Sequence, residues 1–257
     1  MNQPAVQERA NPLKPSSFIR GIGYLLTGLR LLATPELRRF VLAPLLVSTL
    51  LFAWGSWFVL GHILAWSAWL NSFLPSWLQW MEWVLVPVLF GSLGILFFSS
   101  LGIVANLIGA PFNALLAQQV EIYLTGTFDA ASHKQPQGLW ENILPTIHSE
   151  IQKILYYVIR AIPLLLLFVV PVIHVAAPFI WIFFSSWMNA FQYADFPMSN
   201  HQLDNKEILA KLREERLLSL GFGAATLLLT LIPVLNLLAM PAAVAGATAM
   251  WVKEWGK

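Results

Sequence analysis

The feature that most constrains this chain is a run of 27 residues, 40–66, without one Asp, Glu, Lys or Arg. The hydrocarbon core of a bilayer is about 30 Å thick, and about 20 apolar residues in a helix cross it. A water-soluble domain of ordinary size has no need for so long an apolar run. We therefore expect an all-α integral membrane protein.

The composition agrees with a membrane protein. It is 58% hydrophobic and 11% charged, whereas soluble domains are about 25% charged. The absence of cysteine excludes disulfides and thiolate sites, and a net charge of +2 is too small to indicate nucleic acid binding. No cleavable signal peptide is recognisable. We expect residues 1–16 to form a flexible cytoplasmic tail and residues 17–257 a single helical membrane domain.

The first predicted helix, 17–33, is amphipathic. Stepping about 100° per residue places one set of side chains on a polar side and another set opposite it. The polar set is Arg20, Gly23, Thr27, Arg30 and Thr34, and the apolar set is Phe18, Ile22, Leu25, Leu26, Leu29 and Leu32. This pattern predicts a helix in the membrane interface, weakened by Gly21, Gly23 and Gly28.

Two long helices are predicted next. Thr34, Pro35 and Glu36 read as the start of a helix that runs to about residue 66. Residues 67–82 read as a short connection to a second span at 83–108. If that span continues past Pro111, small and polar residues share one face, which either packs on a helix or lines something wet: Ser99, Gly102, Asn106, Ala110, Asn113, Ala117 and Glu121.

Two later apolar regions, 158–191 and 217–251, are each interrupted by proline and resemble each other. Each is either one kinked span or a hairpin that enters and leaves on the same side. The first 40 residues carry six Lys and Arg, and the segment 192–216 carries four more. Hairpins keep both groups in the cytoplasm. We therefore favour two long transmembrane helices plus two partly penetrating hairpins, whose tips need covering by partners such as other subunits.

Candidate chemistry centres on Arg30, which lies just before the helix start and near Arg38 and Arg39. This is a plausible oxyanion site, although the same arginines could instead bind lipid phosphates. Glu121 could gate a pore or be a satisfied interface residue, and Arg160 reads as an interfacial anchor. The common catalytic motifs and metal-ligand spacings are absent, so we expect no enzyme, no metal and no cofactor.

Five segments in this order resemble the CysZ family of bacterial inner-membrane sulfate permeases, over about residues 18–251. They are GLR (28–30), PELRRFVLAPLLV (35–47), APFNALLAQQVE (110–121), FSSWMNAFQYADFP (184–197) and IPVLNLLAMPAAVAGATAMW (232–251). The resemblance implies ATP-independent, proton-sensitive sulfate uptake for cysteine biosynthesis, by a homo-oligomer among membrane lipids. It also implies that the later apolar regions only partly penetrate the bilayer.

The resemblance further implies site residues. Gly28 and Leu29 would offer backbone N–H groups to sulfate, and Arg30 its guanidinium. Asn113, Gln118 and Glu121 would lie along the permeation route, to which the shared face adds Asn106. Family members can have a second basic residue after the arginine, whereas Leu31 follows here. The rival interpretation is a membrane scaffold that helps another transporter and moves nothing itself.

Overall fold

The computed structural model describes residues 15–72, 82–126 and 139–256, and every element within those ranges is helical. The all-α class is therefore confirmed for the described residues. The elements are α1 (Pro15–Leu32), α2 (Pro35–Asn71), α3 (Glu82–Thr125), α4 (Leu139–Leu166), a 3-10 turn (Ile173–Val175), α5 (Ala177–Asn200), α6 (Asn205–Glu214), α7 (Arg216–Thr230) and α8 (Pro233–Glu254).

The predicted start of α2 is confirmed. The Thr34 carbonyl accepts hydrogen bonds from the N–H groups of Leu37 (3.1 Å) and Arg38 (3.2 Å), which opens α2 at Pro35. α3 runs through Pro111 without a break and ends before Gly126, whose φ is +76°. A glycine adopts that left-handed conformation without a Cβ penalty.

The predicted connection at 67–82 is only partly right. α2 continues as a helix to Asn71, and the residues at 73–81 lie outside the described part of the chain. Most of the predicted tail, residues 1–14, is likewise outside it, while Pro15 and Ser16 open α1. The single membrane domain at 17–257 stays a prediction.

Contacts divide the chain into two compact units. One unit is residues 39–112 and holds most of α2 and α3. In it, the rings of Trp66 and Phe90 stack with centroids 6.5 Å apart, while Trp57 is 72% exposed. Pro35–His62 is the segment of the described helices that is long and apolar enough to cross a membrane. Pro87–Phe97 and Arg216–Thr230 are shorter apolar helices.

The other unit, residues 1–38 and 113–257, has α8 at its centre. Every residue at 241–250 is buried, and α1, α5 and α7 all contact α8. α1 approaches its neighbours through glycine. A Cβ at Gly21 would collide with the backbone of Leu218, and one at Gly28 with the carbonyl of Ala242. Two of the three glycines expected to weaken α1, Gly21 and Gly28, therefore allow its closest packing.

The chain reverses direction at both proline-broken regions. Between α4 and α5, the rings of Tyr156 and Phe191 lie 5.6 Å apart and those of Phe168 and Trp181 lie 6.4 Å apart, an antiparallel register. The turn includes Val172 at a φ of +71°. α7 ends at Thr230 and α8 begins at Pro233, a residue that suits the first turn of a helix. The predicted interruptions are confirmed.

Candidate functional site

Arg30 lies in the last turn of α1 and its side chain is exposed. Within the described residues its guanidinium has no hydrogen bond or ion pair. The backbone carbonyl of Arg30 accepts a hydrogen bond from the N–H of Ala33 (3.0 Å), which closes the turn leading into α2. The Arg38 Nε donates to the Ala33 carbonyl at 3.0 Å. Two arginines therefore flank the turn, with Glu36 as the acidic residue in the first turn of α2.

Gly28 and Leu29 lie inside α1. In an α-helix the N–H of residue i bonds to the carbonyl of residue i−4, so both N–H groups are engaged within the helix. Gly28 is also buried against α8, where an added Cβ would lie 2.6 Å from the Gly246 nitrogen. In this conformation their contribution is the position of α1, and Arg30 is the residue of the three with a donor group left over.

The predicted pathway residues on α3 have different surroundings. Asn113 is 5% exposed and its Nδ2 donates to the Met240 sulfur at 3.4 Å. Glu121 is 7% exposed, and both its oxygens contact the Nε2 of His201, at 2.8 and 2.9 Å. Gln118 is half-buried and makes no hydrogen bond to described residues. Asn106 lies within α3, but its side chain is outside the described part.

His201 extends the Glu121 pair into a larger cluster. Its ring lies 5.2 Å from the ring of Trp251 in α8. The Lys211 Nζ lies over the same indole, 5.5 Å from its centroid, which is within the range of a cation–π contact. The buried carboxylate thus contacts an imidazole, the imidazole lies beside an indole, and an ammonium group lies over that indole. Sequence analysis singled out Glu121 alone, because His201 is 80 residues away along the chain.

Arg20 joins the ends of three helices. Its guanidinium nitrogens lie 3.9 Å from Glu215 and 3.5 Å from Glu254, and the Tyr24 hydroxyl donates to Glu254 at 2.6 Å. Burial raises the pKa of Glu215; Arg20 opposes this and Glu254 adds to it. Burial also raises the pKa of Tyr24, as do the hydrogen bond to Glu254 and its charge. One guanidinium here pairs with two carboxylates, and a proton on Glu215 would remove the excess negative charge.

A second charge cluster holds α4 to α5. The Lys153 ammonium donates to Asp195 at 2.6 Å and to Glu150 at 2.7 Å, and the Ser199 hydroxyl donates to Asp195 at 2.7 Å. Burial lowers the pKa of Lys153, but the carboxylates of Asp195 and Glu150 outweigh it and the net shift is upward. This lysine is therefore firmly charged and neutralised locally.

The arrangement can bind an anion but offers no evident metal chemistry. Within the part of the chain that the structure describes, no three His, Asp or Glu residues come together to hold a metal ion. Arg20 and Lys153 are neutralised by carboxylates, whereas none of the described residues occupies the donors of Arg30. A guanidinium offers several N–H groups in a fixed plane, a geometry suited to two oxygens of one oxyanion.

Comparisons with known proteins identify relatives of this chain. The family described as "Sulfate transporter CysZ/Etoposide-induced protein 2.4" matches residues 24–241. The protein named "Sulfate transporter CysZ" in Salmonella typhimurium is 42% identical over 236 residues, which cover 91% of this chain and 92% of the relative. The proteins of the same name in Salmonella paratyphi A and Salmonella enteritidis match over the same length with the same identity.

Proposed function

The chain belongs to the sulfate transporter CysZ/etoposide-induced protein 2.4 family, and we propose that it takes up sulfate across the bacterial inner membrane without ATP, to supply cysteine biosynthesis. The observation that carries the proposal within this chain is the exposed guanidinium of Arg30, which no described carboxylate neutralises. No enzymatic step is part of it.

Sulfate is first bound at the α1–α2 turn. Arg30 donates two hydrogen bonds to sulfate oxygens, and the positive end of α2 adds an electrostatic contribution. Gly28 lets α1 lie close against α8 and so sets the position of Arg30 two residues later. Because Leu31 is apolar, the motif supplies one positive charge rather than two. A site with one arginine releases its ion readily, as conduction requires.

The membrane arrangement follows from helix lengths. From Lys153 to the end of α4 at Leu166, 13 residue steps of 1.5 Å give about 20 Å, less than the roughly 30 Å hydrocarbon core. The turn beyond is apolar and open, with Val169 79% and Val172 84% exposed. We place this hairpin and α7–α8 partway into the lipid, with α2 and α3 crossing it. Backbone groups at the tips then need partners, which favours a homo-oligomer.

The permeation route follows the shared face of α3, with Asn106, Asn113, Gln118 and Glu121 along it. Glu121 is its gate. The pair with His201 holds this carboxylate in place, and an unpaired carboxylate would repel sulfate. Lys211 and Trp251 are the other charged and aromatic groups of the cluster.

A sulfate titration of the purified protein tests the entry site. Arg30→Ala should weaken sulfate binding about tenfold or more, because a hydrogen bond to a charged group contributes about 1.5–3 kcal/mol. Arg213→Ala is the matched control, since Arg213 is exposed on α6 and the substitution removes the same positive charge. Equal affinities in the two variants would refute the assignment.

The proposed gate is tested with a variant of Glu121. Glu121→Gln should change the rate of sulfate flux, or its dependence on pH, while leaving sulfate affinity at the entry site within about twofold. Loss of binding and flux in equal measure would contradict separate roles for Glu121 and Arg30.

A further inference from the structure

Arg160 on α4 is an exposed arginine without an acidic partner. Its guanidinium carbon lies 3.6 Å above the centre of the Tyr156 ring, and one of its terminal nitrogens donates to the Tyr156 carbonyl at 3.2 Å. No carboxylate of the described residues lies within ion-pair distance of this guanidinium. The nearby carboxylates of Asp195 and Glu150 form ion pairs with Lys153, two helical turns earlier. The guanidinium is thus fixed in orientation and keeps most of its N–H groups free.

Tyr156 adds a second donor beside the guanidinium. The indole Nε1 of Trp187 in α5 donates to the Tyr156 hydroxyl oxygen at 3.2 Å. That bond uses the oxygen as an acceptor, so the hydroxyl proton is directed elsewhere. The described residues provide no acceptor for it. The exposed guanidinium of Arg160 therefore lies over a half-buried phenol ring, and the hydroxyl proton of that phenol has no acceptor among the described residues.

The level of this pair along α4 indicates its ligand. Arg160 reaches back one turn, so its charge lies near Tyr156, only three residues, or about 4.5 Å, beyond Lys153. Beyond it Ile159 is 58% and Ile162 53% exposed, and Ile154, next to Lys153, is 61% exposed, so aliphatic surface runs along α4 past the guanidinium. Tyr and Trp beside charged groups and exposed aliphatic side chains are typical of the membrane interface.

We propose that Arg160 and Tyr156 form a binding site for the phosphate of a membrane phospholipid, with the acyl chains lying along the aliphatic surface of α4. The guanidinium donates two hydrogen bonds to the phosphate oxygens and the Tyr156 hydroxyl donates a third. The lipid would anchor the hairpin at a fixed depth. The site rests on the proposed insertion of the α4–α5 hairpin, but not on sulfate binding at Arg30.

The surroundings favour a lipid over a free oxyanion. A soluble anion needs only donors and water, whereas an exposed aliphatic surface next to the donors is stabilised by covering it with acyl chain. The Arg160 site has such a surface, because Leu155, Ile159 and Ile162 are all more than half exposed.

Native mass spectrometry of the full-length protein in detergent tests the site, with dioleoyl phosphatidylglycerol as the probe and dioleoylglycerol as the matched lipid without phosphate. Arg160→Gln should retain phosphatidylglycerol about tenfold less well, and Arg160→Lys should fall between it and the wild type, because lysine keeps the charge but loses the planar fork. Tyr156→Phe should weaken retention about threefold. Arg213→Gln, an exposed arginine on α6, should have no effect.

Three results would overturn the proposal: equal retention by Arg160→Gln and Arg213→Gln, equal retention of the two lipids by the wild type, or displacement of the lipid by millimolar inorganic phosphate. The last result would identify a site for a free anion. Sulfate affinity should be the same in Arg160→Gln as in the wild type, so failure here is distinguishable from failure of the Arg30 assignment.

Discussion

Gly28→Ala probes how α1 is held against α8. In an exposed helix, alanine stabilises relative to glycine by roughly 0.5–1 kcal/mol. At Gly28 the added Cβ would collide with the carbonyl oxygen of Ala242. It would also lie 2.6 Å from the nitrogen and 2.9 Å from the Cα of Gly246. These are backbone atoms and cannot rotate away, so α1 and α8 must separate.

The two effects differ in size. Overpacking a well-packed core costs typically about 1–3 kcal/mol, which exceeds the gain in helix propensity. Gly28→Ala should therefore destabilise by about 1–2 kcal/mol. Gly23→Ala is the control in the same helix, since a Cβ there meets no atom within 4 Å. It should leave stability unchanged or raise it by up to about 1 kcal/mol.

Thermal unfolding of the purified variants in one detergent measures this difference. We expect the melting temperature to fall for Gly28→Ala and to hold or rise for Gly23→Ala. Sulfate affinity should fall with Gly28→Ala, because Arg30 moves with α1. If Gly28→Ala is as stable as Gly23→Ala, the close approach of α1 to α8 is not a feature of the folded protein and the reasoning fails.

Two further predictions concern the charge clusters. In the same unfolding assay, Asp195→Asn should destabilise the protein by about 1–3 kcal/mol and Glu150→Gln by less than about 1 kcal/mol. The reason is burial, since the Asp195 side chain is 14% exposed and that of Glu150 is 58% exposed. Equal losses of stability would contradict a buried Lys153–Asp195 bond. Burial raises the pKa of Glu215 above its ordinary value of 4.5, so its contribution to stability is full below that value and is lost as pH rises through the folded-state pKa. As the pH rises through the folded-state pKa of Glu215, the wild type should lose stability relative to the Glu215→Gln variant. The control variant Glu214→Gln, at an exposed neighbour, should show the same pH dependence of stability as the wild type. Parallel pH profiles of stability for Glu215→Gln and the wild type would show that the pKa of Glu215 is not raised.

Local signals in the sequence predicted the start of α2 and the interruptions of the two later apolar regions. Thr34 and Pro35 start α2, because capping residues act on the backbone of their own turn. The interruptions near Pro171 and Pro233 were predictable for the same reason. The residues of a single turn are enough to determine these features.

The pairings between distant residues could not be read from spacing. Glu121 and His201 are 80 residues apart, and Tyr24 and Glu254 are 230 apart. Gly28 illustrates the limit best. Helix propensity counts it as a weak point of α1, and only the position of Ala242 and Gly246 on α8 shows that a side chain would not fit. Packing partners, not local preference, decide the role of such residues.

The central claim is that this chain alone carries sulfate. Its most direct test is the uptake of radiolabelled sulfate by sealed proteoliposomes that contain only the purified protein. We predict accumulation above that of empty vesicles, reduced by Arg30→Ala and retained by Arg213→Ala. Sealed vesicles with folded wild-type protein and no uptake above the empty control would contradict the account and favour a scaffold that serves another transporter.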